Sequence, residues 1–387
     1  MEEHIGRNRT ARHSFGFDDV AIVPGAVTLD PELVDVSWEA EGRKFNLPVM
    51  AAAMDAVVNP RICGLLGELG AIAVLNLLGL QTRYENPEEA IEEIIQSPAE
   101  KAVETIQRVY SKPVSEDLVG TRVEQAKVSG GPVAVSCTPT AAPRMAEIIG
   151  PGRLDILVVQ STVTTARHIS DRYKPPSIKK LAELLGAPVM VGNCVTYEAA
   201  IELMQEGASG ILVGVGPGAQ CTTRRVLGIG VPQITAICDA AAARDDFQKS
   251  SGCRVAIVAD GGMRVGGDIS KAIAAGADAV MLGSSLAMSQ EAPGKGYQWG
   301  MSTGDPLLPR GARIVVGTAG TLKEILLGPS KREDGSMNLI GALRLAMATC
   351  GARSIAEMQK TELVIAPSLL TEGKAEQRIQ KVGHGKD

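Results

Sequence analysis

Aromatic side chains are scarce in this chain: 3% of its 387 residues are Phe, Trp or Tyr. A single-stranded nucleic acid needs aromatic faces to stack its bases on, and any nucleic acid needs a basic face. Neither is supplied, because 39 Lys and Arg stand against 44 Asp and Glu, a net charge of -5. The same balance argues against a basic membrane-surface helix. No apolar run reaches bilayer-spanning length, and residues 1–30 lack the apolar stretch of a secretory signal. Histidine is rare, and the four at positions 4, 13, 168 and 384 are too dispersed to suggest a His-rich metal site. The seven cysteines (63, 137, 194, 221, 238, 253 and 350) are odd in number and include no CxxC pair. Neither a disulfide framework nor a zinc site is expected, and the thiols fit a reducing, cytoplasmic setting. No linker rich in Pro, Gly or Ser divides the chain, so residues 1–387 are expected to form one large domain.

What the chain does have is a regular alternation. Apolar strand-like runs at 47–53, 71–76, 133–137, 154–160, 188–191, 210–215, 255–259 and 279–282 are separated by helix-patterned segments. Several of those segments stop at glycine, as in Leu185-Gly186, Glu206-Gly207 and Ala275-Gly276, which is C-cap chemistry. Eight such units predict a (β/α)8 TIM barrel rather than an open sheet. A polar, helix-patterned stretch occupies 87–129. Residues 290–335 are loop-rich, with prolines at 293, 306, 309 and 329, and read as a mobile flap. The arm at 4–12 is expected to lie over the surface, and residues 374–387 to fray.

The stretch Ser209–Gln233 carries the clearest chemistry. An apolar strand breaks into Gly216-Pro217-Gly218, where the backbone can turn tightly and expose its polar groups. Cys221 follows at once, then Thr222, Thr223, Arg224 and Arg225. A thiol on a glycine-rich loop past a strand end is placed like a nucleophile, and neighbouring arginines favour the thiolate that attacks carbon. The plain alternative, that Cys221 is merely a small residue, fits this setting poorly. Barrel function gathers at the C-terminal ends of the strands, and phosphate often sits after strands seven and eight. Those tips read Asp260-Gly261-Gly262 and Gly283-Ser284-Ser285. Glycine pairs let backbone N–H groups approach a phosphate, Ser284 adds a hydroxyl, and Asp260 can accept from ribose hydroxyls. Ordinary capped βα turns are the plain alternative, yet two on neighbouring strands beside the Cys221 loop point to a nucleoside monophosphate. Gly214–Ala219 also fits a relaxed GxGxxG/A pattern. Pro217 and Cys221 interrupt the helix start that pattern needs, and Asp239 falls inside a helical segment, so a dinucleotide fold is disfavoured.

The loop GVGPGAQCTTRRVLGIGVPQ closely resembles the catalytic loop of the IMP dehydrogenase/GMP reductase family. So do Phe17-Asp18-Asp19-Val20, Ala52-Ala53-Met54-Asp55, Gly192-Asn193, the ADGGMR run at 259–264 and GADAVMLGS at 276–284, all in family order. The pair of CBS domains normally inserted after the second strand is missing, as in the short subgroup of cyanobacteria and actinobacteria. The resemblance implies oxidation of IMP to XMP with NAD, through a covalent adduct on Cys221 with Thr223 beside it. It places Asp260 on the ribose and Gly262, Gly283, Ser284 and Tyr297 on the phosphate. Met54 and Met301 fall near the base, with Ala52, Gly261 and Gly300 also in the substrate set. Gln160, Ser161, Asn193, Gly214 and Thr223 would face the cofactor. The carbonyls of Gly216, Gly218 and Cys221 resemble a potassium site that a neighbouring subunit completes near Glu372-Gly373, implying a homotetramer.

Departures accompany the likeness. The flap has no Arg-Tyr pair, and Arg310 stands where the family carries Glu or Gln. Gln160 occupies the place of an acid, and Ala219 that of a phosphate-binding serine. Arg310 or Arg313 is expected to supply the missing cation. GMP reductase is the alternative activity, and a non-catalytic purine-nucleotide-binding protein a third possibility. Absence of the CBS pair predicts little control by adenine and guanine nucleotides at that module.

Overall fold

The computed structural model describes residues 2–300, 312–366, 374–380 and 382. Eight parallel strands close into a barrel: β1 (Val49–Ala51), β2 (Ile72–Asn76), β3 (Ala134–Cys137), β4 (Ile156–Gln160), β5 (Val189–Cys194), β6 (Gly210–Val213), β7 (Ala256–Asp260) and β8 (Ala279–Leu282). Each pairs with the next in sequence, and β8 closes on β1 through Val280↔Val49 and Leu282↔Ala51. All eight fall within or overlap the expected runs.

The barrel closes because the strands are apolar on both faces and alternate strictly. Met50, Ile72, Val74, Ile156, Val158, Met190, Leu212, Val258 and Met281 fill the interior. Their neighbours, such as Val49, Ala73, Leu157, Val191, Ile211, Ile257 and Val280, pack outward against the helices. A hairpin of Trp38–Ala40 and Arg43–Phe45 joins the interior cluster, its two rings 5.2 Å apart and the Trp38 indole donating to the Leu47 carbonyl at 2.9 Å. That plug sits at the strands' N-terminal end, where Arg43 also pairs with Asp155 just ahead of β4. The opposite end is left open.

The polar stretch at 87–129 forms three helices, α1 (Pro87–Gln96), α2 (Ala102–Val109) and α3 (Glu116–Val128). They carry the chain from β2 to β3. Within 290–335 the described residues are more ordered than a loop-rich reading suggests. Tyr297–Gln298 pairs antiparallel with Ile314–Val315, and a helix at Leu322–Leu327 opens with a Thr321/Glu324 capping box. The N-terminal arm is a solvent-exposed hairpin, Glu2–Gly6 against Arg9–Arg12, turning at Asn8 with φ 65°. Among the described residues, no helix is long and apolar enough to cross a membrane.

Candidate active site

At the C-terminal end of the barrel lies a cavity of about 1320 Å³. Sites for one small ligand run to roughly 300–1,000 Å³, so this cavity has room for two. It is lined by residues that follow all eight strands, and the Cys221 loop, which follows β6, forms one wall.

The Cys221 loop is shaped by what β6 cannot bury. At Gly214 the chain adopts φ 154°, and a Cβ there would lie 2.2 Å from the Asp260 carbonyl oxygen. Only glycine lets β6 pass so close to the tip of β7. The Cys221 N–H then closes a turn onto the Gly218 carbonyl at 3.0 Å. The Cys221 thiol donates to the hydroxyl oxygen of Thr223 at 3.2 Å, and Thr223 is buried at the start of a short helix, Thr223–Leu227. Arg224 does not serve the thiol. Its guanidinium donates to the Val215 carbonyl at 3.1 Å and the Val231 carbonyl at 2.7 Å, clamping the two ends of the loop together. Arg225 is exposed. The expected activation by adjacent arginines is thus replaced by a hydroxyl partner, because the loop's unpaired carbonyls take the nearer cation first.

Asp260, at the tip of β7, accepts a hydrogen bond from the Asn193 amide at 2.6 Å. Burial pushes its carboxyl up to about 6, an effect the Asn193 bond partly offsets. The buried Gln233 side chain donates to the Val213 carbonyl at 2.6 Å and the Asp260 carbonyl at 3.3 Å, fixing both strand tips. Beyond Asp260, Gly261 and Gly262 both have φ 83°, and Pro217 of the cysteine loop packs where their side chains would start. Just past β8 a Cβ at Gly283 would lie 2.8 Å from the Gln298 amide nitrogen and 3.2 Å from the Met54 sulfur. Two bare-backbone turns therefore stand side by side next to the thiol.

Ala52, Met54, Gln160, Ser161, Asn193, Gly214, Gly216, Gly218, Cys221, Thr223, Asp260, Gly261, Gly262, Gly283, Ser284 and Gly300 all line this one cavity. Met301 and Arg310 lie outside the described residues, as do Glu372 and Gly373. Two expectations change. Tyr297 does not reach the cavity: its ring packs with the cluster around Ile91 and Trp299, under the Arg313 guanidinium at 5.0 Å. Its neighbour Gln298 is fully buried against Met54 and the Gly283 turn, so neither residue of this short strand lines the cavity. Arg313 is likewise turned away, its donors held by the Ile94, Ile95 and Ser97 carbonyls at the end of α1. Sequence reasoning missed Gln233, Gln298 and Trp299. Their amides and indole are ordinary residue types in motifs whose facing only the fold reveals.

The residues fit the groups the resemblance implies. Among the described residues the buried Gln160 side-chain oxygen has no hydrogen-bond partner, which leaves an acceptor for a ligand hydroxyl, beside Ser161 and Thr164. Among the described residues, no cluster of three His, Cys, Asp or Glu side chains is placed to hold a metal. A cation here would rest on backbone carbonyls, of which that of Gly218 already accepts the Cys221 N–H.

Residues 14–303 match the family profile described as the IMP dehydrogenase / GMP reductase domain. An oxidoreductase of uncharacterised activity from Mycolicibacterium smegmatis is 37% identical over 370 residues, covering 93% of this chain and 99% of its own. An inosine-5'-monophosphate dehydrogenase from Methanocaldococcus jannaschii is 29% identical, over 92% of this chain and 94% of its own. The crystal structure of an IMP dehydrogenase/GMP reductase-like protein from Corynebacterium glutamicum superposes with a TM-score of 0.87 at 36% identity, over 94% of this chain and 97% of that one. With this likeness across nearly the whole length, in a barrel whose rim carries the Cys221 loop, the chain belongs to the IMP dehydrogenase/GMP reductase family.

Proposed function

We propose that this protein oxidises IMP to XMP, with NAD as the hydride acceptor. The observation that carries the reading is the Cys221–Thr223 pair set beside the Asp260–Asn193 pair on a single cavity rim. Purine C2 lies between two ring nitrogens and is electrophilic. The Cys221 sulfur adds to it, with the thiol proton leaving through the Thr223 hydroxyl, and C2 becomes tetrahedral. Loss of hydride from C2 restores the ring as a thioimidate. Water then adds at C2, the C–S bond breaks, and XMP leaves with the thiol restored. NAD, when bound, supplies the two-electron acceptor for the hydride.

The chain's own residues do the holding. Asp260 accepts the ribose hydroxyls and is kept in place by Asn193 and Gln233. The Gly261-Gly262 and Gly283-Ser284 turns offer N–H groups and a hydroxyl to the phosphate. Gln160, Ser161 and Asn193 would hold the cofactor. A monovalent cation on the Gly216, Gly218 and Cys221 carbonyls, and a tetramer that completes that site, belong to the same proposal.

GMP reductase is the second reading, favoured by one contact: Thr223 on the Cys221 sulfur suits the return chemistry, in which ammonia leaves C2 and hydride arrives. The deciding experiment is absorbance at 340 nm with IMP, NAD and potassium, and with GMP and NADPH in parallel, each against Cys221→Ala. A thiol-dependent rise with XMP as product supports the dehydrogenase, and a thiol-dependent fall supports the reductase. Silence in both, with IMP still raising the melting temperature, would leave a binding protein.

A further inference from the structure

The residues on both sides of 301–311 are fastened to the same helical segment. Before it, Lys295 pairs with Glu92 of α1 at 2.7 Å, and the Trp299 indole donates to the Tyr110 hydroxyl at 3.0 Å. After it, Arg313 donates to the Ile94, Ile95 and Ser97 carbonyls at the end of α1, the groups a helix leaves unpaired. The Tyr297 ring lies beneath that guanidinium. Tyr110 caps α2 and is itself buried, and its hydroxyl donates onward to Asp55 at 2.7 Å. The other Asp55 oxygen accepts the Leu80 N–H at 2.8 Å, in a space kept open because Gly79 has no side chain. Asp55 directly follows Met54, which touches Gln298 and Gln220 and lines the cavity with Trp299 and Gly300. One phenol hydroxyl therefore joins the loop after β1, the loop after β2, the end of α2 and the strand ahead of 301–311.

We propose that the segment 87–110 is a strut that holds residues 295–300 and 312–317 against the cavity, with Tyr110 a positioning residue that acts on the wall through Asp55 and Trp299. The bond pattern supports this role over simple packing. Tyr110 both donates and accepts, and both partners are buried, so losing the hydroxyl removes the acceptor of the indole N–H and one donor to Asp55. A shift of either is felt directly in the cavity, because Asp55 and Trp299, like Tyr110 itself, belong to its lining. The consequence for the nucleotide rests on the reading of the cavity as a purine nucleotide site.

The test compares wild type with Tyr110→Phe and, at the other foot, Arg313→Ala, which keeps the experiment decisive should the first variant fold poorly. Backbone hydrogen–deuterium exchange is followed at 295–300 and 312–317 without ligand, with indole emission read in a Trp38→Phe background. Affinity for IMP and the separate kcat and KM are then measured. Expected are faster exchange at the foot each variant releases, a changed Trp299 emission in Tyr110→Phe, and KM for IMP raised about tenfold with kcat changed far less. Exchange and emission unchanged in both variants would overturn the strut. Faster exchange with unaltered IMP affinity would overturn the positioning role. A wild-type protein that binds no IMP sinks the nucleotide reading alone, because the exchange measurement still judges the strut.

Discussion

Nucleotide affinity should weaken in acid through one identifiable group. Burial holds the Asp260 carboxyl at about 6, above the ordinary aspartate range near 3.9. Above that value it is ionised and, if the proposed function holds, accepts from the ribose hydroxyls; below it, the carboxyl carries a proton and loses charge-assisted acceptance. At pH 5 about nine-tenths of the protein is protonated there, so binding through the ionised form falls about tenfold, or about 1.4 kcal/mol. The phosphate of IMP also changes charge near pH 6, so a raw acid limb does not assign the group. Asp260→Asn removes the carboxyl and leaves the phosphate. Titration calorimetry with IMP from pH 5 to pH 8 should therefore show a steeper acid limb in wild type than in the variant, by one proton. Asp55, also lifted to about 6 by burial, is separated by Asp55→Asn, which should keep the Asp260 limb. Parallel wild-type and Asp260→Asn profiles would refute the argument.

Four further outcomes follow from the geometry. Cys221→Ala should abolish turnover, by more than about a thousandfold, while IMP still binds by calorimetry. Thr223→Val should lower kcat about a hundredfold with little effect on IMP affinity, since it removes the only side-chain partner of the Cys221 sulfur among the described residues. Gly214→Ala, which sets a methyl 2.2 Å from the Asp260 carbonyl at φ 154°, should cost about 3 kcal/mol or more in a urea melt and weaken IMP binding together. At the far end of the barrel, Arg244→Ala strips the buried Asp278 of one of its cations and should cost about 3–5 kcal/mol, leaving KM for IMP unchanged in the folded fraction.

The barrel was legible because its strands are apolar on both faces and spaced evenly, a pattern few other folds need. The rim was legible for a related reason. Gly214, Gly261, Gly262 and Gly283 each sit where a side chain would strike a neighbour or demand a strained backbone, so their positions record contacts directly. Side-chain direction was less legible. Tyr297 and Gln298 are adjacent, and a two-residue pairing with Ile314–Val315 decides which one faces inward. No local pattern of two residues carries that information; it depends on a partner strand sixteen or more positions away.

Cations were misread for a different physical reason. Arg224 and Arg313 were both weighed as partners for reacting groups because each lies close in sequence to the chemistry. In the fold each meets backbone carbonyls first: Val215 and Val231 for one, the end of α1 for the other. A guanidinium has five donors in a fixed fork, and a turn or helix end offers several unpaired acceptors at matching spacing. The strongest competitor for an arginine near an active loop is therefore the loop's own backbone. Since Arg224 ties the two ends of the Cys221 loop and Arg313 ties the strand at Ile314–Val315 to α1, both brace the cavity wall through backbone carbonyls. The polar helices at 87–110, which a likeness to longer relatives marks only as the place of a missing module, thereby become part of the site's frame.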